Sequence, residues 1–422
     1  MIKPLKVLHV SHSYGGGGAG KGAARLHQAF LQNGIDSHLI TLENNSDDPD
    51  PHNVVICAHA REQRNARRKL SRWIMRRQSS ANPVVKSLNL FNSGLLKDIN
   101  AFECDIVQLH WVGYGTLSIW EIGKINKPVV WKLPDMYAFS GTEHYLLPDD
   151  PPRHVEGYRA TNRPDHEAGI DINKWLWRCK RVAWRGRNIS VVAPSRWLRD
   201  QARQSRIFRE SRTAHIINPL DSEIYKFDRS LTSNNVWGIK KNRHTFLLGF
   251  GSLNATHDPR KGYEHLLKAL EIIRKQRSVG SLELLIFGGR QKGTTNVAGF
   301  RAYELGRLRT DEDIISAYNL CDGFVLPTLQ DNLPNTVKEA TCCGLPVAAY
   351  AVGGLPDLVE HLVTGYLARP RDPNDLADGI QWLVNNRSMN LRECIANKSA
   401  MRHSPARATE SYSKFYEQVL HG

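Results

Sequence analysis

Residues 323–351 read GFVLPTLQDNLPNTVKEATCCGLPVAAYA, and they limit the fold more than any other stretch. The apolar run 323–327 reads as a buried strand. A turn-rich loop, 328–334, follows it. Residues 335–343 read as a helix closed by Gly344, and 345–351 as a second strand at once. Two strands joined through a helix run parallel, so this is a β-loop-α-β unit of a parallel sheet. Asp331 lies in the loop, and Glu339 lies eight positions on, just over one turn into the helix. The helix N-terminus between them favours an anion. One carboxylate on each side of a bound phosphate can accept hydrogen bonds from sugar hydroxyls, an arrangement suited to a sugar–diphosphate–nucleoside. A second reading stands beside it: Thr336-x-x-Glu339 is also a capping box, with Glu339 reaching back to a backbone N–H.

A chain of 422 residues exceeds one ordinary core, and two domains are expected. The pattern restarts at 244–250, which reads as a new first strand. We expect an N-terminal Rossmann-like domain over 1–222, a linker over 223–244, a second Rossmann-like domain over 245–404 and a terminal helix over 405–422. The net charge of +15 calls for an anionic partner. The seven cysteines are odd in number and show no metal-ligand spacing, so a reduced, cytosolic protein is expected. The opening MIKPLKVLHVSHS is too short in apolar run for a signal peptide, and no stretch approaches the ~20 apolar residues of a membrane span.

In the first half, 6–11 reads as a strand, the glycines 15–18 as a loop open to a ligand, and 23–32 as a helix. Gly15-x4-Gly20-Lys21 matches most of a P-loop. Gly22 stands where the magnesium-binding Ser or Thr belongs, which disfavours an NTPase. Strands follow at 37–41 and 54–57, with an acidic loop between. The segment 61–78, REQRNARRKLSRWIMRRQ, is basic, with Leu70, Trp73 and Ile74 on one helical face. It suits an anionic membrane surface, or a solvated helix with one stripe on the core. No fold motif or base-stacking aromatics accompany the charge, so nucleic acid is not expected. Strand 105–109 ends in His110-Trp111, and strand 128–133 leads to PDMYAFSGTEHY. Asp135 thus falls at the C-terminal end of a parallel strand, where α/β sites form. It reads equally as a cap or an ion-pair partner, and His110 as a site residue or a satisfied core histidine. Residues 146–170 read as a long surface loop, and Ser195 as a helix N-cap.

D-x7-E, then ATCCGLPV and GGLPD, resembles the E-x7-E segment of the retaining GT-B glycosyltransferases of glycosyltransferase family 4. The resemblance spans the whole chain and is most specific over 246–382. It implies two Rossmann-like domains facing a cleft, with the last helix crossing back to the first domain. It implies that Asp331 holds the donor sugar, that the backbone at Asn332, Leu333, Asn335 and Thr336 holds sugar and phosphate, and that Glu339 holds the ribose. Pro334 has no N–H to give, and Asp331 is one methylene shorter than the usual Glu. Arg260 and Lys261 lie where the family binds diphosphate, Ser252 where it usually has an Arg, and Gly306 near the base. Gly17 and Gly18 belong to the first glycine-rich loop. The segments around His110 and 134–145 are similar to a bacterial polysaccharide branch. Asp135, Tyr137 and His144 fit its pattern, and Pro134 replaces a His credited with touching the donor sugar. The implied catalytic set is Asp135, Lys261 and Asp331, and the implied acceptor set is His110, Tyr137 and His144.

The resulting expectation is transfer of a sugar from a nucleotide-diphospho-sugar to a glycan or lipid-linked acceptor, with retention and without metal or other cofactor. Polysaccharide or lipopolysaccharide assembly at the cytoplasmic face of a membrane is the implied setting. An epimerase or phosphorylase of the same fold, or a nucleotide-sugar-binding protein without turnover, stays open.

Overall fold

A computed structural model describes residues 5–232, 237–239, 244–251, 258–276 and 280–422. They divide into two compact units, Met1–Pro219 with Pro405–Gly422, and Leu220–Ser404. The first unit holds a seven-stranded parallel sheet. Its order is Val54–Ile56, Asp36–Asn45, Lys6–Gly15, Ile106–Leu109, Val129–Lys132, Ile189–Ala193, Thr213–His215. The strands Ile106–Leu109, Val129–Lys132 and Ile189–Ala193 are buried along their whole length, as central strands of a parallel sheet are when helices cover both faces. The helix Pro405–His421 supplies part of that cover. Its Tyr412, Phe415, Tyr416 and Val419 join Val7, Phe30, Ile106 and Val130 in one buried cluster.

The second unit repeats the plan. Its order is Lys292–Val297, Phe300–Gly306, Ser281–Phe287, Thr245–Gly251, Gly323–Leu326, Val347–Tyr350, Gly365–Ala368. All neighbours are parallel except the exposed edge strand Lys292–Val297, which returns antiparallel on Phe300–Gly306. In each sheet the order reverses once, between Lys6–Gly15 and Ile106–Leu109, and between Thr245–Gly251 and Gly323–Leu326. Ligand crevices of open α/β sheets form beyond the strand C-termini at such reversals.

Several expectations change. The first strand runs on to Gly15 and the helix starts at Gly17, so the glycine tract is helix as well as loop. Gly15, Gly16 and Gly17 turn the corner with φ near +60°, and a Cβ on Gly20 would sit 2.0 Å from the Gly15 carbonyl oxygen. The basic segment forms two helices, Ala58–Glu62 and Arg64–Met75. Leu70 and Trp73 do not face the core; they are 43% and 56% exposed. The inward face carries Ile74 and, two turns earlier, Arg67, whose guanidinium donates to the Ala60 carbonyl at 2.6 Å. Residues 146–170 are not a plain loop. The strand Glu167–Gly169 pairs with Gln78–Ser80, and the buried Arg153 binds Asp171 and Glu167 beneath it. After Gly354 the chain makes one 3-10 turn, Leu355–Asp357, and then bends at Leu362 (φ 61°) into Gly365–Ala368. Part of the expected linker packs into the second unit, where Tyr225 is buried and donates to Asp311 at 2.7 Å.

Candidate functional site

In the second unit the loop 327–334 leaves the sheet at its reversal and enters the helix Asn335–Cys342. Backbone holds it from two sides. Gly262 (φ +67°) lies so close that a Cβ would stand 1.9 Å from the Pro327 carbonyl oxygen, and one on Gly353 (φ +54°) 1.8 Å from that of Asp331. The Arg260 carbonyl accepts from the Leu329 amide at 2.6 Å and the Thr328 hydroxyl at 2.9 Å. So fixed, Asp331 receives the Lys261 ammonium at 2.9 Å. These two residues, seventy apart in sequence, are thus joined in one ion pair.

The capping-box reading fails on geometry. The helix begins at Asn335 with Pro334 as N-cap and no side-chain cap, which puts Glu339 in its fifth position, beyond reach of a cap amide. Glu339 is 5% exposed, and the buried Tyr318 hydroxyl lies 3.4 Å from its Oε2. Asn332 and Leu333, in the loop before the helix, are buried too. The Thr336 methyl faces the last residue of the central strand, Gly251, so the helix N-terminus sits over the sheet reversal. Arg260 is drawn aside: Asp258 binds its guanidinium at 2.7 and 3.2 Å, leaving Lys261 as the better placed cation. Ser252 lies outside the described residues.

Gly306 ends its strand at φ +68°, and its carbonyl accepts from Gly288 at 2.8 Å. The two turns border a cavity of about 1380 Å³ lined by Gly289, Arg290, Leu305, Arg307, Arg309 and Asp313 among others. That volume admits a nucleotide. Sequence reading missed Arg290, Arg309 and Tyr318, which carry no motif, and missed the clamps at Gly262 and Gly353, whose roles appear once the loop is placed.

In the first unit Asp135, Tyr137 and His144 do come together, in a buried network. Asp135 Oδ2 meets His144 Nδ1 at 2.6 Å and the Trp111 indole N–H at 3.1 Å, while Oδ1 accepts the Tyr137 amide at 2.9 Å. His144 Nε2 lies 2.9 Å from the Ser87 hydroxyl, and its ring stacks on Tyr137, whose other contact is the Lys180 ammonium at 3.6 Å. Burial lowers Lys180 to about 7, although the carbonyls of Tyr137, Ser140 and Gly141 all accept from it. With Asp135, Tyr137 and His144 all under 10% exposed, Asp135 acts here to hold His144 and Trp111. Asp135→Ala strands both, and is expected to cost about 3 kcal/mol in urea unfolding. A loss of turnover with unfolding free energy unchanged would instead restore a direct role. His110 is not part of this network. It is 2% exposed and its Nε2 lies 2.8 Å from His9 Nδ1, with burial pushing both imidazoles well below their usual range. Gly17 opens the first helix and is exposed there, followed by Gly18.

Residues 245–386 match the family of group 1 glycosyl transferases. An uncharacterised glycosyltransferase of Haemophilus influenzae is 27% identical over 144 residues, covering 33% of this chain and 40% of that protein. The chain spans about two fifths of the curated relatives first matched. Two solved structures align along nearly the full length. Sucrose-phosphate synthase of Thermosynechococcus elongatus superposes with TM-score 0.65 at 14% identity, over 98% of this chain and 99% of its own. Anabaena HepE, solved with UDP and glucose, gives 0.63 at 16% identity, over 98% and 100%. The fold is that of the GT-B glycosyltransferases.

Proposed function

We propose that this chain is a glycosyltransferase whose second unit binds a nucleotide-diphospho-sugar and whose first unit binds the acceptor. The observation that carries the reading is the clamped loop, which sets Asp331 against Lys261 and opens a helix over the sheet reversal with Glu339 behind it. Glu339 takes the ribose hydroxyls, Asp331 the sugar hydroxyls, and the helix N-terminus with Lys261 the diphosphate. The cavity beyond Gly306 takes the base. The acceptor hydroxyl oxygen attacks the anomeric carbon from the face that the diphosphate leaves. The carbon–phosphate-oxygen bond breaks, and the departing phosphate oxygen takes the hydroxyl proton. The configuration is retained. Lys261 and the helix N-terminus stabilise the charge that grows on the leaving group, so the step is written without a metal.

The acceptor in this reading is a lipid-linked glycan of polysaccharide or lipopolysaccharide assembly, met at the cytoplasmic face of an anionic membrane. Among the described residues no helix is long and apolar enough to cross a bilayer. The helix Arg64–Met75 instead leaves Leu70 and Trp73 exposed among Lys69, Arg72 and Arg76. Apolar side chains ringed by cations suit an anionic interface. Vesicles rich in phosphatidylglycerol are expected to sediment the protein, and Leu70→Ser/Trp73→Ser to release it. Equal binding by that variant would remove the helix from the proposal.

A thermal-shift screen of UDP-, GDP-, ADP- and dTDP-sugars tests the donor site. HepE, of the same fold, holds UDP, so UDP-sugars come first. One nucleotide class should raise the melting temperature. No rise with any of them, with calorimetry in agreement, overturns the proposal.

A further inference from the structure

Cys57, His59 and Asp98 converge in the first unit, away from every residue assigned above. The Cys57 thiol sulfur, a His59 ring nitrogen and an Asp98 carboxylate oxygen all lie within 4.8 Å of one another. His59 Nε2 stands 3.2 Å from Asp98 Oδ2. Sequence gave no hint of this, because Asp98 lies far along the chain and Cys57-x-His59 matches no zinc-ligand spacing. The fold makes the meeting. Cys57 ends the crossing from the edge strand Val54–Ile56, with its amide donating to the Thr41 carbonyl at 2.9 Å, and it opens the short helix Ala58–Glu62 that carries His59. Asp98 sits on the helix Leu95–Ala101, whose leading Gly94 lies against the His59 ring.

Two features separate this group from an ordinary surface ion pair. The Cys57 side chain is buried, 6% exposed, and so its sulfur lies at the inner end of the group, with the His59 side chain at its outer end. The Asp98 Oδ2 atom is itself buried and makes no hydrogen bond, its approach to His59 being a charge contact without donor geometry. A buried carboxylate oxygen without a hydrogen-bond donor is costly unless a cation completes it.

We propose that Cys57, His59 and Asp98 bind a zinc-type divalent cation. Thiolate, imidazole and carboxylate are the donor types that zinc takes, and three protein ligands leave a fourth position for water. Ligand atoms around tetrahedral zinc stand roughly 3.5 Å apart, a spacing that His59 and Asp98 already have at 3.2 Å and that the group as a whole, within 4.8 Å, reaches by a small closing movement. His59, with a side chain 57% exposed, has the freedom to supply that movement. Hard cations such as magnesium and calcium, which prefer an all-oxygen shell, do not match the set. A cation here ties the helix Ala58–Glu62 to Leu95–Ala101. It thereby fixes the root of the basic helix Arg64–Met75, which follows directly. The site does not rest on the transferase reading.

The test uses the full chain after chelator treatment. Equilibrium dialysis is expected to show one zinc bound per chain, and cobalt in its place to give a thiolate-to-cobalt charge-transfer band in the near ultraviolet. Cys57→Ser, nearly isosteric, should abolish the band. His59→Ala, at an exposed position that the fold does not need, should weaken zinc binding by at least about tenfold, since even outer-shell partners are worth that much. A missing band, or a band undiminished in Cys57→Ser, overturns the proposal. So does zinc affinity unchanged in His59→Ala.

Discussion

Glu339→Ala is expected to remove most of the thermal stabilisation that a bound nucleotide-diphospho-sugar gives the wild type. At a hundredfold excess over Kd that stabilisation is about 2.7 kcal/mol, roughly 7 °C for a unit of this size. The expectation follows from where the carboxylate sits. It is buried, it lies beyond the cap positions of its helix, and it stands behind the helix N-terminus that follows the Asp331 loop. Glu339→Gln, which keeps an acceptor oxygen, should retain part of the shift. Melting curves without ligand separate a folding defect from a binding defect. A Glu339→Ala protein that melts like wild type and keeps the full ligand-induced rise would take the ribose role away from this residue.

Gly353→Ala is expected to destabilise the second unit by about 4 kcal/mol, or to prevent its accumulation as folded protein. Two causes add. The φ of +54° is one that a residue with a Cβ adopts at a cost of about 1 kcal/mol. The new methyl would also stand 1.8 Å from the Asp331 carbonyl oxygen, a backbone atom of a loop held on its other side by Gly262. The loop can yield only by moving Asp331 off Lys261. Any Gly353→Ala protein that folds should therefore lose donor binding as well, visible as a flat ligand response in the same melting assay. A variant with wild-type stability and wild-type ligand response would show that the loop is free to shift.

The strands 105–109, 128–133, 244–250 and 323–327, the helix from 335, the Ser195 cap and the repeated strand–loop–helix plan were readable from local pattern, since buried strands of a parallel sheet are mostly apolar and each cap is a matter of neighbours in sequence. The placement of Asp331 in the loop and Glu339 in the helix was readable too, because eight residues across a strand-to-helix turn leave little freedom. The basic segment was left with two readings for an equally physical reason. Periodicity shows that a helix has an apolar stripe, but Arg67 could be known to turn inward only once the Ala60 carbonyl stood within reach. The excursion 146–170 was read as loop because its order comes from strand pairing with residues 78–80 and from a buried Arg153 ion pair, both remote in sequence. That Asp258 binds the Arg260 guanidinium, though two residues away, was not read from the sequence, where Arg260 stood only as a diphosphate ligand.

Local chemistry along the chain was enough to read the class of fold and the strand–loop–helix unit that carries Asp331 and Glu339, because these depend on short-range pattern. Long-range packing settled the rest. The Lys261–Asp331 ion pair, the glycine clamps, the Asp135–His144–Ser87 chain and the Cys57–His59–Asp98 group each join residues that sequence keeps far apart. Such contacts form when sheet order brings the strand ends together, and no local propensity encodes them.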